Sequence, residues 1–301
     1  MQYSILTDLE NTARRFPEKT AVIEDTHSVC WGEFASAAKR VGTALARENV
    51  AGKPVATYME KSIEALNVFF GAVYAGACYS YLNPELPNAR LNSIQSVLNA
   101  AIIVTTDSWL EITKQTFPDA KVVSVSALLA SEIDEELLSS VRARAIDTDP
   151  LYINFTSGST GTPKGIAVGH RSVIDFIDCF TELFSITERD VIANQAPLDF
   201  DVSVKDIYSA IKTGASLVLI PRWMFVSPAT LIDFLCETKV TTLTWAVSAL
   251  CLITTFHGLD YKTPETIEKV LFSGEVMPMK HLKNWMEHLP NATFVNLYGP
   301  T

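Results

Sequence analysis

No cysteine in this chain stands within three positions of another, and no histidine pair accompanies any of them. Cys30, Cys78, Cys179, Cys236 and Cys251 form an odd, dispersed set. That argues against a zinc ribbon and a disulfide framework. The expectation is five small buried apolar residues in a reducing cytosol. Basic residues are also few: 24 Lys and Arg against 34 Asp and Glu, a formal charge of −10. Non-specific nucleic-acid binding needs many cationic contacts to phosphate, so that class is excluded, while a local site for a small anion is not. Long apolar runs are short of roughly the 20 residues that span a bilayer. The two longest, 66–82 and 240–256, read as buried helix joined to buried strand, and no membrane partner is expected. The N-terminus lacks a basic segment followed by an apolar one, so no leader is expected. Gly and Pro, 13 and 14, are too few for a fibrous or low-complexity chain.

What the chain has is core-forming material. Hydrophobic residues make up 48% and charged residues 19% of 301. At roughly 150 residues per domain this length predicts about two domains. Short β-branched runs recur: Lys53 to Tyr58, Ala101 to Thr105, Lys121 to Val125, Leu151 to Phe155, Gly165 to Val168, Ser216 to Ile220, Thr241 to Ala246, Val270 to Ser273 and Thr293 to Tyr298. Helical spacing lies between them. Ile63, Leu66, Phe70 and Val73 fall on one face, as do Val202, Ile207, Tyr208 and Ile211, with Gly214 placed to end the second helix. Apolar strands alternating with helices predict an α/β fold of layered, open, mostly parallel sheets flanked by helices. The polar, acidic stretch from Ser131 to Asp149 is the best boundary, giving regions 1–149 and 150–301. It is equally readable as a surface helix and loop inside one domain.

The segment Asn154 to Gly165, NFTSGSTGTPKG, carries the most chemistry. Glycines let backbone N–H groups approach an oxyanion, hydroxyls add donors and Lys164 adds charge, which makes a cradle for a polyphosphate. It is not a P-loop. Pro163 stands where the glycine before the lysine belongs, and Gly165 where the magnesium-binding hydroxyl belongs. It is not a hydrolase elbow either, because Gly158-Ser159-Thr160-Gly161 has the wrong spacing.

The run LYINFTSGSTGTPKG resembles the phosphate loop of the adenylate-forming enzymes: acyl-CoA synthetases, luciferases and peptide-synthetase adenylation domains. Other segments resemble that family's motifs in order. They are Trp31-Gly32-Glu33-Phe34, Tyr74 to Tyr79 with Leu82-Asn83-Pro84, Phe200-Asp201-Val202-Ser203, Ser273-Gly274-Glu275, and Asn296 to Thr301. The segment Phe200-Asp201-Val202-Ser203 and the stretch NQAPLDFDVSVKD make the amino-acid-activating branch the nearer one, similar to D-alanine–carrier-protein ligases.

The resemblance implies roles residue by residue. Thr156, Ser157, Gly158, Ser159, Thr160, Gly161 and Lys164 would hold the ATP phosphates. Tyr298 would stack on adenine beside Gly274, Glu275, Asn296 and Gly299, and Thr301 would lie near the α-phosphate. Lys164 and Thr301 are the catalytic candidates. Asp201 would pair with the α-amino group of the substrate, although a helix N-cap is its bland alternative. Phe200, Val202, Lys205, Ser248, Leu271, Ser273 and Leu297 would shape the side-chain pocket. Lys205 pointing inward favours an acidic substrate, and pointing outward it is a solvated lysine. The expected substrate is a small or polar amino acid, D-alanine included. Cofactors implied are ATP and Mg²⁺, with the magnesium-binding Glu expected just beyond Thr301. The partner implied is a phosphopantetheinylated carrier protein. The family's C-terminal barrel and mobile lid are missing from the sequence, so this chain reads as an N-terminal fragment with little adenylation of its own. The competing readings are an acyl- or aryl-CoA synthetase and a nucleotide-binding module without turnover.

Overall fold

The computed structural model describes residues 4–156 and 162–297. Thirteen strands occur among them: β1 Thr20–Glu24, β2 His27–Cys30, β3 Pro54–Thr57, β4 Cys78–Tyr81, β5 Ile102–Thr105, β6 Val122–Ser124, β7 Pro150–Thr156, β8 Lys164–Gly169, β9 Val191–Asn194, β10 Ser216–Leu219, β11 Thr242–Ala246, β12 Lys269–Ser273 and β13 Thr293–Asn296. Two compact units result. One comprises Met1–Lys19 with Cys30–Cys179, the other Thr20–Val29 with Phe180–Thr301. The division thus falls within the helix His170–Leu183 rather than at 149/150. The acidic stretch belongs wholly to the first unit, where Glu135–Arg142 is a helix capped by Asp134.

The first unit is built on a sheet of order β6-β5-β3-β4-β7-β8, parallel except for β8 against β7. Strands β4 and β5 are buried at every residue, as strands covered on both faces must be. The helix Ile63–Tyr74 is apolar almost all round and starts at Ser62, whose hydroxyl accepts the Ala65 N–H at 3.1 Å. The motif around Trp31 has a structural task. The Glu33 carboxylate accepts the Cys30 N–H at 2.9 Å, and Trp31 and Phe34 are buried edge to face.

Two mid-helix glycines mark where Trp31–Arg47 and Ile63–Tyr74 meet. A Cβ on Gly42 would fall 2.4 Å from Tyr74 Cβ, and one on Gly71 would fall 2.3 Å from Val41 Cγ1. Helix propensity alone makes Gly71→Ala stabilising by about 1 kcal/mol. Overpacking decides otherwise: the variant is expected to lose roughly 1–3 kcal/mol, read as a lowered urea midpoint. A raised midpoint would contradict the close approach.

The second unit is built on a sheet of order β13-β12-β11-β9-β10-β1-β2. Every pair from β13 through β10 to β1 is parallel. One face is packed by a core that includes Trp245, Leu250, Val270, Phe272 and Trp285. Strand alternation sends Leu271 and Ser273 to the other face. The helix Val202–Thr213 buries Val204, Ile207, Tyr208 and Ile211 and packs against β9, β10 and β11. Gly214 ends it at φ 84°, as the sequence predicts.

The amino edge of this sheet holds a buried ion pair. Asp190, just before β9, is 4% exposed at its side chain and accepts Lys269 Nζ at 2.7 Å, Thr242 Oγ1 at 2.7 Å and, through Oδ2, the Thr187 N–H at 2.8 Å. Burial pushes its pKa up, but these hydrogen bonds and the lysine charge outweigh that and hold it below the ordinary carboxylate value. All five cysteines are free, but only Cys78 is buried and Cys179 is exposed, so the expectation of five buried residues is corrected. No described helix is long and apolar enough to cross a membrane.

Candidate functional site

In the first unit, β7 and β8 form an antiparallel hairpin with Asn154 opposite Ile166, Phe155 opposite Gly165 and Thr156 opposite Lys164. The Ser/Gly segment closes this hairpin. A strand therefore follows the loop where a P-loop would have a helix. Gly165 is small for a reason: a Cβ there would press on Ile153 and the Phe155 ring at 3.2 Å. Thr156 and Lys164 are the two feet of the loop, while Ser157, Gly158, Ser159, Thr160 and Gly161 lie outside the described residues. Lys164 is exposed and has no ion-pair partner among the described residues. Arg90, in the helix Asn88–Leu98, donates Nη2–H to the Thr156 carbonyl at 3.0 Å and so fixes the first foot. No sequence signal pointed to Arg90.

The second unit has a topological switch point. From β9 the chain moves to β10 on one side and then returns to β11 on the other. The loops leaving the carboxyl ends of β9 and β11 therefore diverge, which opens a crevice where ligands of open α/β sheets bind. Gln195 spans it, accepting the Ala246 N–H through Oε1 at 3.3 Å. Phe200, Asp201, Val202 and Lys205 follow β9, and Ser248 follows β11. Ser273, Gly274 and Glu275 end β12, with Ser273 in register with Ala246. Asn296 is in register with Phe272, and the Leu297 N–H donates to the Phe272 carbonyl at 2.7 Å. The sheet thus brings these sequence-predicted residues to one edge. Leu271 stands deeper, fully buried within β12. Tyr298, Gly299 and Thr301 lie outside the described residues. Gly274 has φ 99° with open space around a Cβ, so backbone conformation alone calls for glycine.

Asp201 precedes the helix Val202–Thr213 but does not cap it. Its backbone is already helical (φ −61°, ψ −21°) and its side chain accepts no N–H of the first turn. The helix-cap alternative therefore fails, and the half-buried carboxylate has no partner among the described residues. Phe200 is 54% exposed beside it. Beneath the same helix, the Asn194 amide donates to Asp206 at 2.9 Å, both residues being fully buried.

The histidines play other parts. His170 is buried, and its Nδ1 accepts the Ile5 N–H at 3.2 Å. Burial first, and then the Arg142 charge, lower its pKa to about 4, which keeps it neutral and structural. It helps line a cavity of about 360 Å³ in the first unit with Glu10, Tyr74, Glu135 and Arg142, which contains none of the candidate ATP- or substrate-binding residues. The five histidines are dispersed in sequence, yet His257 and His288 both reach Asp260, at 2.7 and 3.4 Å. No group of three metal-ligating side chains occurs among the described residues.

The comparisons with known proteins agree with this architecture. The chain is 30% identical over 301 residues to an L-proline–[L-prolyl-carrier protein] ligase of Pseudomonas fluorescens, covering 95% of this chain and 59% of that protein. It is 27% identical to a D-alanine–D-alanyl carrier protein ligase of Lacticaseibacillus rhamnosus, covering 99% and 58%. The chain therefore spans somewhat over half the length of these relatives. Among solved structures, the nonribosomal peptide synthetase FmoA3 bound to α-methyl-L-serine-AMP superposes with a TM-score of 0.86 at 22% identity, covering 99% of this chain and 32% of that one. VinN superposes with a TM-score of 0.86 at 21% identity, covering 100% and 76%. Residues 9–301 match the model of the AMP-binding enzymes, and the chain belongs to that family.

Proposed function

We propose that these residues belong to an amino-acid adenylation enzyme. The observation that carries this reading is the Asp201 carboxylate at the switch point of the second sheet, which caps no helix and has no partner among the described residues. A half-buried carboxylate with no partner is complementary to an ammonium group, which fatty and aryl acids lack. The relatives named for prolyl and D-alanyl transfer point to the same class of substrate and to a carrier protein as acceptor.

In the first step a carboxylate oxygen of the amino acid attacks the α-phosphorus of ATP. The bond from that phosphorus to the bridging oxygen breaks, and pyrophosphate leaves. In the second, the sulfur of a carrier phosphopantetheine thiolate attacks the acyl carbonyl, and AMP leaves. The protein contributes positioning and charge neutralisation. Thr156, Ser157, Gly158, Ser159, Thr160, Gly161 and Lys164 receive the β- and γ-phosphates. Tyr298, Gly274, Glu275, Asn296 and Gly299 receive the adenosine, and Thr301 meets the α-phosphate. Phe200, Val202, Lys205, Ser248, Leu271, Ser273 and Leu297 surround the substrate side chain. No group of three ligating side chains occurs among the described residues, and no step is assigned to Mg²⁺. Free cysteines and dependence on ATP fit a cytosolic setting.

Lys164→Ala tests the phosphate half. Its ammonium is exposed and has no ion-pair partner among the described residues, so the unfolding midpoint is expected to stay constant while affinity for ATP falls roughly tenfold, in the range for a charge-assisted hydrogen bond. Titration with a fluorescent ATP analogue reads this directly. Unchanged affinity would remove Lys164 from the phosphate site.

A further inference from the structure

Asp201 and Lys205 stand four residues apart at the start of one helix, acid before base. In that order and spacing two exposed side chains ordinarily pair with each other. Here they do not: no ion pair joins them, and neither has another partner among the described residues. Both are half-buried, at the edge where β9 and β11 diverge. Two opposite charges held one helical turn apart, each without a partner among the described residues, are complementary to a ligand that carries the opposite charges at a similar separation. Side chains at this spacing are about 5–6 Å apart at Cβ. An amino acid with a second carboxylate on its side chain has that arrangement, with the α-ammonium toward Asp201 and the side-chain carboxylate toward Lys205.

We infer that the substrate is an acidic amino acid of the aspartate or glutamate type and that Lys205 selects it. This rests on the reading of the edge as an amino-acid site, and it narrows the small or polar residue that the sequence predicts. Neutral amides of the same shape would leave Lys205 desolvated and unpaired, which is how a site rejects an isostere.

The test uses non-hydrolysable aminoacyl-sulfamoyl-adenosines carrying aspartate, asparagine, glutamate, glutamine, alanine or a fatty acyl group, titrated against the protein. One acid is expected to bind roughly tenfold or more tighter than its own amide. Lys205→Met is expected to erase that difference by weakening the acid alone, and Lys205→Arg to restore most of it. Equal or tighter binding of the amides by the parent protein would overturn the acidic assignment while leaving amino-acid adenylation intact. Binding of the fatty-acyl analogue as tightly as any aminoacyl one would overturn the underlying reading instead. Should Lys205→Met fold poorly, the parent's acid-to-amide ratio decides alone.

Discussion

Asp201→Asn is expected to abolish the preference for a substrate with an α-amino group while leaving ATP affinity unchanged. The side chain keeps its shape and loses its charge, so the ammonium would be left unpaired in a partly dry crevice. Stranding one member of a buried pair costs about 3–5 kcal/mol, and even the lower end is more than a hundredfold in affinity. Stability should hardly move, because the Asp201 side chain caps nothing and bonds nothing among the described residues. The substrate preference separates the account from a structural one: Asn caps a helix about as well as Asp, so a purely capping Asp201 would leave both stability and substrate preference unchanged. Competition between alanyl- and propionyl-sulfamoyl-adenosine measures the preference. A retained preference for the amine would remove Asp201 from the substrate site.

The second large effect lies at the opposite edge of the same sheet. Lys269→Met is expected to destabilise the second unit by about 3–5 kcal/mol, because it leaves Asp190 charged and buried without its cation. The pH dependence should change with it. In the parent the Asp190 pKa lies below its unfolded value, so its stabilising contribution is present above about pH 4 and is lost as pH falls through the native pKa. Without Lys269, burial is the largest remaining influence and pushes the pKa up. The rise in stability between about pH 3 and 5 should then flatten. Amide exchange in β9, β11 and β12, whose starts meet at Asp190, reads both effects locally. A loss below about 1 kcal/mol would show that this pair contributes as little as an exposed one.

Strand composition made most of the fold legible. Runs such as IIVT at β5 and SLVL at β10 are apolar but for one terminal hydroxyl residue and are buried at every position, as a doubly covered sheet requires, and Gly214 ends its helix where predicted. The boundary was less legible, because strand pairing is non-local. β1 pairs with β10, Val22 with Leu217, and no local pattern announces a partner so far along the chain. The β7–β8 hairpin pairs through Tyr152 with Tyr79 of β4, which places it in the first unit rather than the second. At the site, the motif residues could be named because their types carry chemistry. Arg90 could not, since it acts through the Thr156 carbonyl, and backbone acceptors leave no mark on sequence. The Asp190–Lys269 pair was hidden for a related reason: 79 residues separate two charges that each read as solvated.

The measurement that tests the central claim most directly is amino-acid-dependent ATP–pyrophosphate exchange by the chain extended with the family's C-terminal part, run with a panel of L- and D-amino acids beside fatty and aryl acids. The account predicts exchange with an amino acid, strongest for an acidic one, and its loss in Asp201→Asn. Exchange supported by fatty or aryl acids and insensitive to Asp201→Asn would contradict it.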